Sequence, residues 1–138
     1  MGFRKSIKKN KYNNKKIVNE FGTWDSKKEY QRYMFLQEAE KKGLIRDLKR
    51  QVRFELIPAI KEEYIEHLKT KDKVKTKTLQ QAICYTCDFA YYKDGEYIVS
   101  DVKASPKMLP KEFILKEKLM FWRYGIRIKR VYKADEKI

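Results

Sequence analysis

Hydrophobic and polar positions along the chain alternate between two periods, and the switches between them mark the elements. From Ser26 to Gly43 the spacing predicts a helix. Ser26-x-x-Glu29 is a capping box with Asp25 adding negative charge at the N-terminus; Tyr30, Tyr33, Met34, Phe35, Leu36 and Ala39 supply an apolar stripe, and Gly43 a left-handed stop. Gln51 to Ile57 alternates at period two, which places Val52, Phe54 and Leu56 on one face of a strand. Between Pro58 and Thr78, Ile60, Tyr64 and Leu68 fall at helical spacing, and the run Lys69 to Lys77 reads as an exposed loop or hairpin tip.

Two further alternating segments, Ile83 to Tyr92 and Glu96 to Lys103, flank Asp94-Gly95, the strongest short-range signal for a hairpin with a two-residue turn. Ser105-Pro106 and Pro110 break the chain before a helix from Lys111 to Tyr124, rich in Phe113, Ile114, Leu115, Leu119, Met120 and Phe121 and ended by Gly125. A last strand then runs from Ile126 to Tyr132. Strand, helix and strand in that order form a crossover, which implies a parallel pair and a right-handed connection. The expectation is an α/β fold in the order α-β-β-β-α-β, with a mixed central β-sheet flanked by helices.

The turn sets the register. A two-residue turn at Asp94-Gly95 puts Asp88 directly opposite Asp101, where Cβ atoms stand about 4.5–5.5 Å apart and like charges are destabilising. Lys103, two residues beyond Asp101, projects from the same face. Tyr85, Cys87, Phe89, Tyr91, Ile98, Ser100 and Val102 are expected on the opposite, core-facing side. As a bare surface network, with Lys103 neutralising Asp101, such a cluster contributes only about 0.2–1 kcal/mol.

Net charge changes that picture. With 34 Lys and Arg against 19 Asp and Glu the chain carries +15, while 42% hydrophobic residues and 14% aromatics describe a folded protein rather than a basic tail. At 138 residues a single domain, 17–138, is expected behind a basic arm, 1–16, that carries Lys8, Lys9, Lys11, Lys15 and Lys16. Such an excess of positive charge suits a polyanion, and counterion release makes nucleic acid the best fit. No apolar stretch approaches the roughly 20 residues of a spanning helix, so no membrane role is expected. The basic N-terminus has no apolar h-region, so the expected setting is cytoplasmic. Cys84 and Cys87 supply too few ligands for zinc and read as small buried hydrophobes; His67 reads as a solvated surface residue.

Two acids held opposite one another in so basic a chain suit a hard divalent cation, above all Mg²⁺, which takes one or two carboxylates and completes its shell with water and phosphate oxygens. Beside a phosphodiester, such an ion lends acidity to water and neutralises developing charge, and Lys103 can orient the water or stabilise the transition state. Metal-assisted hydrolysis of nucleic acid is the reaction these parts suit.

The string Asp88-x12-Asp101-Val102-Lys103, preceded by the helical Glu29, resembles the signature of the PD-(D/E)XK nuclease superfamily. Within it, the chain looks like a group of small phage and prophage proteins of unknown function. The segments that carry the likeness are Thr23 to Glu29, Gln51 to Leu56, Tyr85 to Tyr92 and Val99 to Lys103, followed by Phe113 to Leu119 before Tyr124-Gly125-Ile126. The resemblance implies a restriction-endonuclease-like core and a phage protein acting in the bacterial cytoplasm, in DNA replication, recombination or packaging. It implies Asp88, Asp101, Glu29 and the Val102 carbonyl as ligands of Mg²⁺, with Mn²⁺ as a substitute, and Lys103 as the catalytic lysine. Glu29 has a competing role in the capping box.

The Glu-Asp-Asp-Lys set is similar to that of phage junction-resolving enzymes, which implies branched DNA as a substrate and a homodimer able to place two nicks. Lys27, Lys116 and Lys118 join the basic arm as expected DNA contacts. Cys87 stands where the family often has proline, Ala104 where glycine is common, and 58–78 is longer than usual. The alternative is a nucleic-acid-binding protein on a nuclease fold that cuts nothing and works through basic segments at Lys5 to Lys16 and Lys69 to Lys77. A third is a basic phage protein that binds a host factor.

Overall fold

A computed structural model describes residues 17–19, 22–24 and 26–138. The Lys8, Lys9, Lys11, Lys15 and Lys16 arm and the side chain of Asp25 lie outside the described residues. The fold is α/β with a mixed sheet and two helices. Strands outnumber helices among the described residues: β1 (Ile17–Asn19), β2 (Gly22–Trp24), α1 (Lys27–Lys41), β3 (Arg46–Arg50), β4 (Arg53–Ile57), β5 (Ile60–His67), β6 (Asp72–Gln80), β7 (Ile83–Thr86), β8 (Phe89–Lys93), β9 (Glu96–Val102), α2 (Lys111–Tyr124) and β10 (Lys129–Val131).

The central sheet has the order β10-β9-β8-β3. β8 and β9 are antiparallel with Phe89 opposite Ser100 and Lys93 opposite Glu96, the register that an Asp94-Gly95 turn demands. Asp94 and Gly95 both take positive φ, 50° and 80°, as a turn that follows strand twist requires. β10 runs parallel to β9 with Arg130 opposite Asp101, so the expected crossover through α2 is present. Ser26 caps α1 by accepting from the Glu29 N–H at 3.1 Å, and Gly125 closes α2 in the left-handed region at φ 68°.

Each face of the sheet carries a helix. Leu36 and Ala39 of α1 pack with Ile45, Phe89 and Tyr91 on one side. Phe113 and Met120 of α2 pack with Leu56, Tyr85, Cys87, Ala90, Val99 and Ile128 on the other. Each fully buried large apolar side chain contributes about 1.5–3 kcal/mol.

Several expectations fail for stated reasons. The expected strand from Gln51 begins only at Arg53, because Gln51 takes a positive φ of 50° and bends the chain away from β3, a strand the polar Arg46 to Arg50 stretch concealed. The expected Ile83 to Tyr92 strand is broken at the matching place. There the Cys87 N–H donates to the Val52 carbonyl at 3.0 Å and the Gln51 N–H to the Asp88 carbonyl at 3.1 Å. The paired bend joins the β3-β8 ladder to the β4-β7 ladder. It also moves Tyr85 and Cys87 to the side of Ala90 and Val99 rather than that of Phe89 and Tyr91.

The helical spacing of Ile60, Tyr64 and Leu68 is overturned: 60–80 is one long antiparallel hairpin with its tip at Leu68 to Lys71. Tyr, Ile, Val and Thr at alternating positions favour strand, and the charged residues between them do not resist it. The fully buried residues of α1 are Glu29, Arg32, Leu36 and Ala39, so two charged residues join the expected stripe; Tyr30 and Tyr33 pack partly buried beside Leu36 and Ala39, and Met34 is exposed. Arg32 is fully buried, where its guanidinium donates to the carbonyls of Ala134, at 3.2 Å, and Glu136, and straps the C-terminal tail to the helix.

Candidate functional site

The bend between β7 and β8 is where the chemistry-bearing side chains meet. Asp88 sits at the bend itself. Its carboxyl accepts from the Val102 N–H at 2.8 Å, so β9 holds it in place. Val102 points its N–H toward Asp88, and in a strand the C=O of the same residue faces the same edge; the Val102 carbonyl is therefore on the Asp88 side while Lys103 bonds β10 through its N–H, 2.8 Å from the Val131 carbonyl.

Asp101 is buried, and its Oδ2 accepts from the Tyr85 hydroxyl at 3.0 Å and pairs with Lys103 Nζ at 3.2 Å. The Lys103 ammonium also lies 4.1 Å from the centre of the Phe113 ring, which holds it over an aromatic face. Glu29 reaches the cluster from α1, buried, with Oε1 3.9 Å from Arg50. Lys28 beside it donates to the Lys103 and Ala104 carbonyls, both at 3.4 Å, and ties the start of α1 to the end of β9.

Electrostatics in the cluster are strained. Burial pushes the Asp88 carboxyl up to about 9, aided by its hydrogen bond to Asp101 and by the negative charges of Asp101 and Glu29; only the Val102 N–H works against the rise. Burial therefore favours the protonated form of Asp88. Burial and the Asp101 carboxylate likewise raise the Tyr85 phenol, which stays a hydrogen-bond donor. Burial pushes the Cys87 thiol up to about 11, as suits a core residue rather than a ligand. A strongly perturbed carboxyl group of this kind is a mark of functional sites.

A cleft of about 340 Å³ opens at this cluster, lined by Tyr85, Thr86, Asp101, Lys103, Phe113 and Lys116 among others. Of the expected DNA contacts, Lys116 lines the cleft and pairs with Glu112 at 2.9 Å; Lys27 is exposed on the first turn of α1. Lys118 is elsewhere, beside Trp122 in a larger apolar hollow that holds no carboxylate. His67 is exposed with Nδ1 2.9 Å from Asp72, as a solvated residue should be. Cys84 is half-buried, and both cysteines are free.

The structure thus brings Asp88, Asp101, Val102, Lys103 and Glu29 to one place. Among the described residues, no three His, Cys, Asp or Glu side chains form a closed metal cage. A carboxylate pair with a backbone carbonyl is an open half-shell, the kind Mg²⁺ completes with water and substrate oxygens. Tyr85, Lys28, Arg50 and Phe113 were not legible as site residues in the sequence. Tyr85 read as core because the bend that turns it was hidden, and the others join only through contacts far apart in the chain.

The fold and the site together define an α/β domain that gathers two carboxylates and a lysine beside a parallel strand pair. The chain belongs to the family described as protein of unknown function (DUF1064), whose model matches residues 9–136. No curated protein and no solved structure matches it. None of the helices among the described residues is long and apolar enough to cross a membrane.

Proposed function

We propose that this chain is a divalent-metal-dependent endodeoxyribonuclease of the PD-(D/E)XK type, with a restriction-endonuclease-like core and branched DNA among its substrates. The observation that carries the proposal is the meeting of Asp88, Asp101 and Lys103 at the ends of two strands joined by one tight turn. Asp88, Asp101 and the Val102 carbonyl would hold Mg²⁺ or Mn²⁺, with Glu29 adjoining. When bound, the ion supplies positive charge at the reacting phosphodiester and acidity to water.

The chain's own groups do the rest. Tyr85 and Lys103 fix the orientation of Asp101 from two sides. Lys103, held over Phe113 at the mouth of the cleft, is placed to meet an anionic phosphate and to orient a water molecule there. Lys116 stands on the same wall, paired with Glu112. The formal charge of +15 attracts DNA over longer range and makes its affinity fall steeply with salt.

The test is cleavage of linear, flapped and four-way junction DNA in Mg²⁺, beside Asp101→Ala. Cleavage at least about a thousandfold slower in the variant is expected, the loss of roughly 4 kcal/mol of transition-state stabilisation. Cleavage that survives the substitution removes these residues from the mechanism. Salt-sensitive DNA binding with no cleavage under any divalent ion would instead make the chain a binding protein on a nuclease fold.

A further inference from the structure

Helix α2 is two-sided. Its inner side buries Phe113 and Met120, whereas its outer side leaves Leu115 58%, Phe121 48% and Trp122 77% exposed. Large apolar side chains gain nothing from folding when they stay in water. Trp122 and Leu115, with Leu56, Ile57 and Pro58, wall an apolar hollow of about 820 Å³.

Cations are interleaved with these side chains. Lys118 lies one helical turn from both Leu115 and Trp122 and on their face. Arg127 stands 4.5 Å over the Phe121 ring, and Arg123 fastens the helix to β4 by donating to the Leu56 carbonyl at 2.8 Å. The acids nearby are taken: Glu112 pairs with Lys116 at 2.9 Å, Glu117 with Arg130 at 2.6 Å, and Glu55 faces Arg123 at 3.9 Å. Lys118 and Arg127 therefore keep their charge unmatched by any acid among the described residues.

The hollow continues the cleft at Asp101. Both lie between α2 and the paired strands β4 and β7. The cleft takes Tyr85 and Thr86 with Phe113 and Lys116, and the hollow takes Leu56 and Ile57 with Leu115 and Trp122. From Lys116 to Trp122 the helix advances about 9 Å, at about 1.5 Å per residue. A DNA strand rises about 3.4 Å per nucleotide, which puts Trp122 about three nucleotides from the cleft.

We propose that the outer face of α2 is a stacking platform for unpaired nucleotides of the DNA whose scissile phosphate lies in the cleft. The proposal rests on the nuclease reading and narrows its substrate to DNA with a single-stranded segment beside the cut. Trp122 stacks a base, and Lys118 and Arg127 meet the flanking phosphates. Inside a duplex each base is covered on both faces by its neighbours, so only an unpaired base can lie flat on the indole. A membrane surface fits less well. An interfacial helix keeps its cations on the face opposite its aromatic residues, whereas insertion of Trp122 would drag Lys118 in with it.

The test is fluorescence anisotropy of the full chain in EDTA, where nothing is cut, with labelled oligo(dT) of about 15 nucleotides and with a blunt duplex. Trp122→Ala should weaken oligo(dT) binding at least about fivefold and lower the ratio of single-strand to duplex affinity, with unchanged circular dichroism. Trp122→Phe should recover most of that loss. Stacking is not ionic, so the salt dependence of oligo(dT) binding should keep its slope in Trp122→Ala, whereas Lys118→Ala should make it shallower by about 0.7. An equal loss for single strand and duplex, or no loss for either, overturns the inference. So does a Trp122→Ala variant that binds oligo(dT) normally but loses phosphatidylserine vesicles or changes its sedimentation, which would give the face to a membrane or to a second copy. Failure of the nuclease reading looks different: oligo(dT) binding that depends on Trp122, in a chain that cleaves no DNA in Mg²⁺, keeps the platform and removes the cut.

Discussion

The bend that carries Asp88 and the ribbon of β5 and β6 are both built from antiparallel strands, yet they are opposites. At the bend, every polar group is held by another element: Asp88 by β9, Asp101 by Tyr85 and Lys103, and the Lys103 carbonyl by Lys28. Along the ribbon, side chains face water and pair only across the two strands. The same secondary structure serves one region as a rigid frame for charges that repel and the other as an uncovered surface. What separates them is burial. It makes like charges costly enough to matter at the bend and leaves the ribbon free to meet something else.

The sharpest way to break this contrast is to remove packing from each region in turn. Met120→Ala, which empties a fully buried position under the bend, should cost about 2–5 kcal/mol in urea unfolding. Asp88→Asn is expected to act in the opposite direction. The folded carboxyl sits at about 9, whereas an unfolded aspartate titrates near 3.9. A group raised in this way contributes its full stability below pH of about 4 and loses it as pH rises through about 9. Unfolding in EDTA from pH 5 to 9 should therefore show the wild type losing stability with pH. Asn, which keeps the hydrogen bonds of the protonated acid, should flatten that slope and gain about 1–3 kcal/mol at pH 7. An unchanged slope would show that Asp88 is ionised in the free protein.

Tyr85→Phe leaves the shape of the core and removes one donor to Asp101. Stability should fall by about 1 kcal/mol, with a larger relative loss in cleavage, because the hydroxyl orients the carboxylate from below. Equal small losses in both would reduce Tyr85 to packing. The smallest effect belongs to the ribbon. Val74→Ala, on the face away from Tyr64, should change stability by no more than about 0.5 kcal/mol. A loss like that of Met120→Ala would mean the ribbon is part of the domain core after all.

Where the determinants are local, the sequence was enough. Asp94-Gly95 needs positive φ at both positions, and that turn alone set the register that brings Asp88 and Asp101 together. Ser26, Gly43 and Gly125 bounded both helices within a residue or two by capping chemistry. The crossover from β9 through α2 to β10 followed from element order and chain handedness. The net charge of +15 is likewise fixed by composition alone.

Tertiary structure decided the rest, for reasons no window of sequence contains. The bend at Gln51 and Cys87 exists because two strands kink together, each supplying the other's hydrogen bonds from far along the chain. It alone turns Tyr85 toward Asp101. Ile60, Tyr64 and Leu68 fit a helix as well as a strand until β6 supplies the partner that a strand needs. The apolar residues of α2 could not be divided into buried and exposed by periodicity, because nearly the whole helix is apolar; only the sheet's position chose Phe113 and Met120 and left Leu115 and Trp122 outside. Local sequence determines turns, caps and register, which cost little to satisfy within a few residues. Which faces are covered depends on what the chain brings back to them from far away.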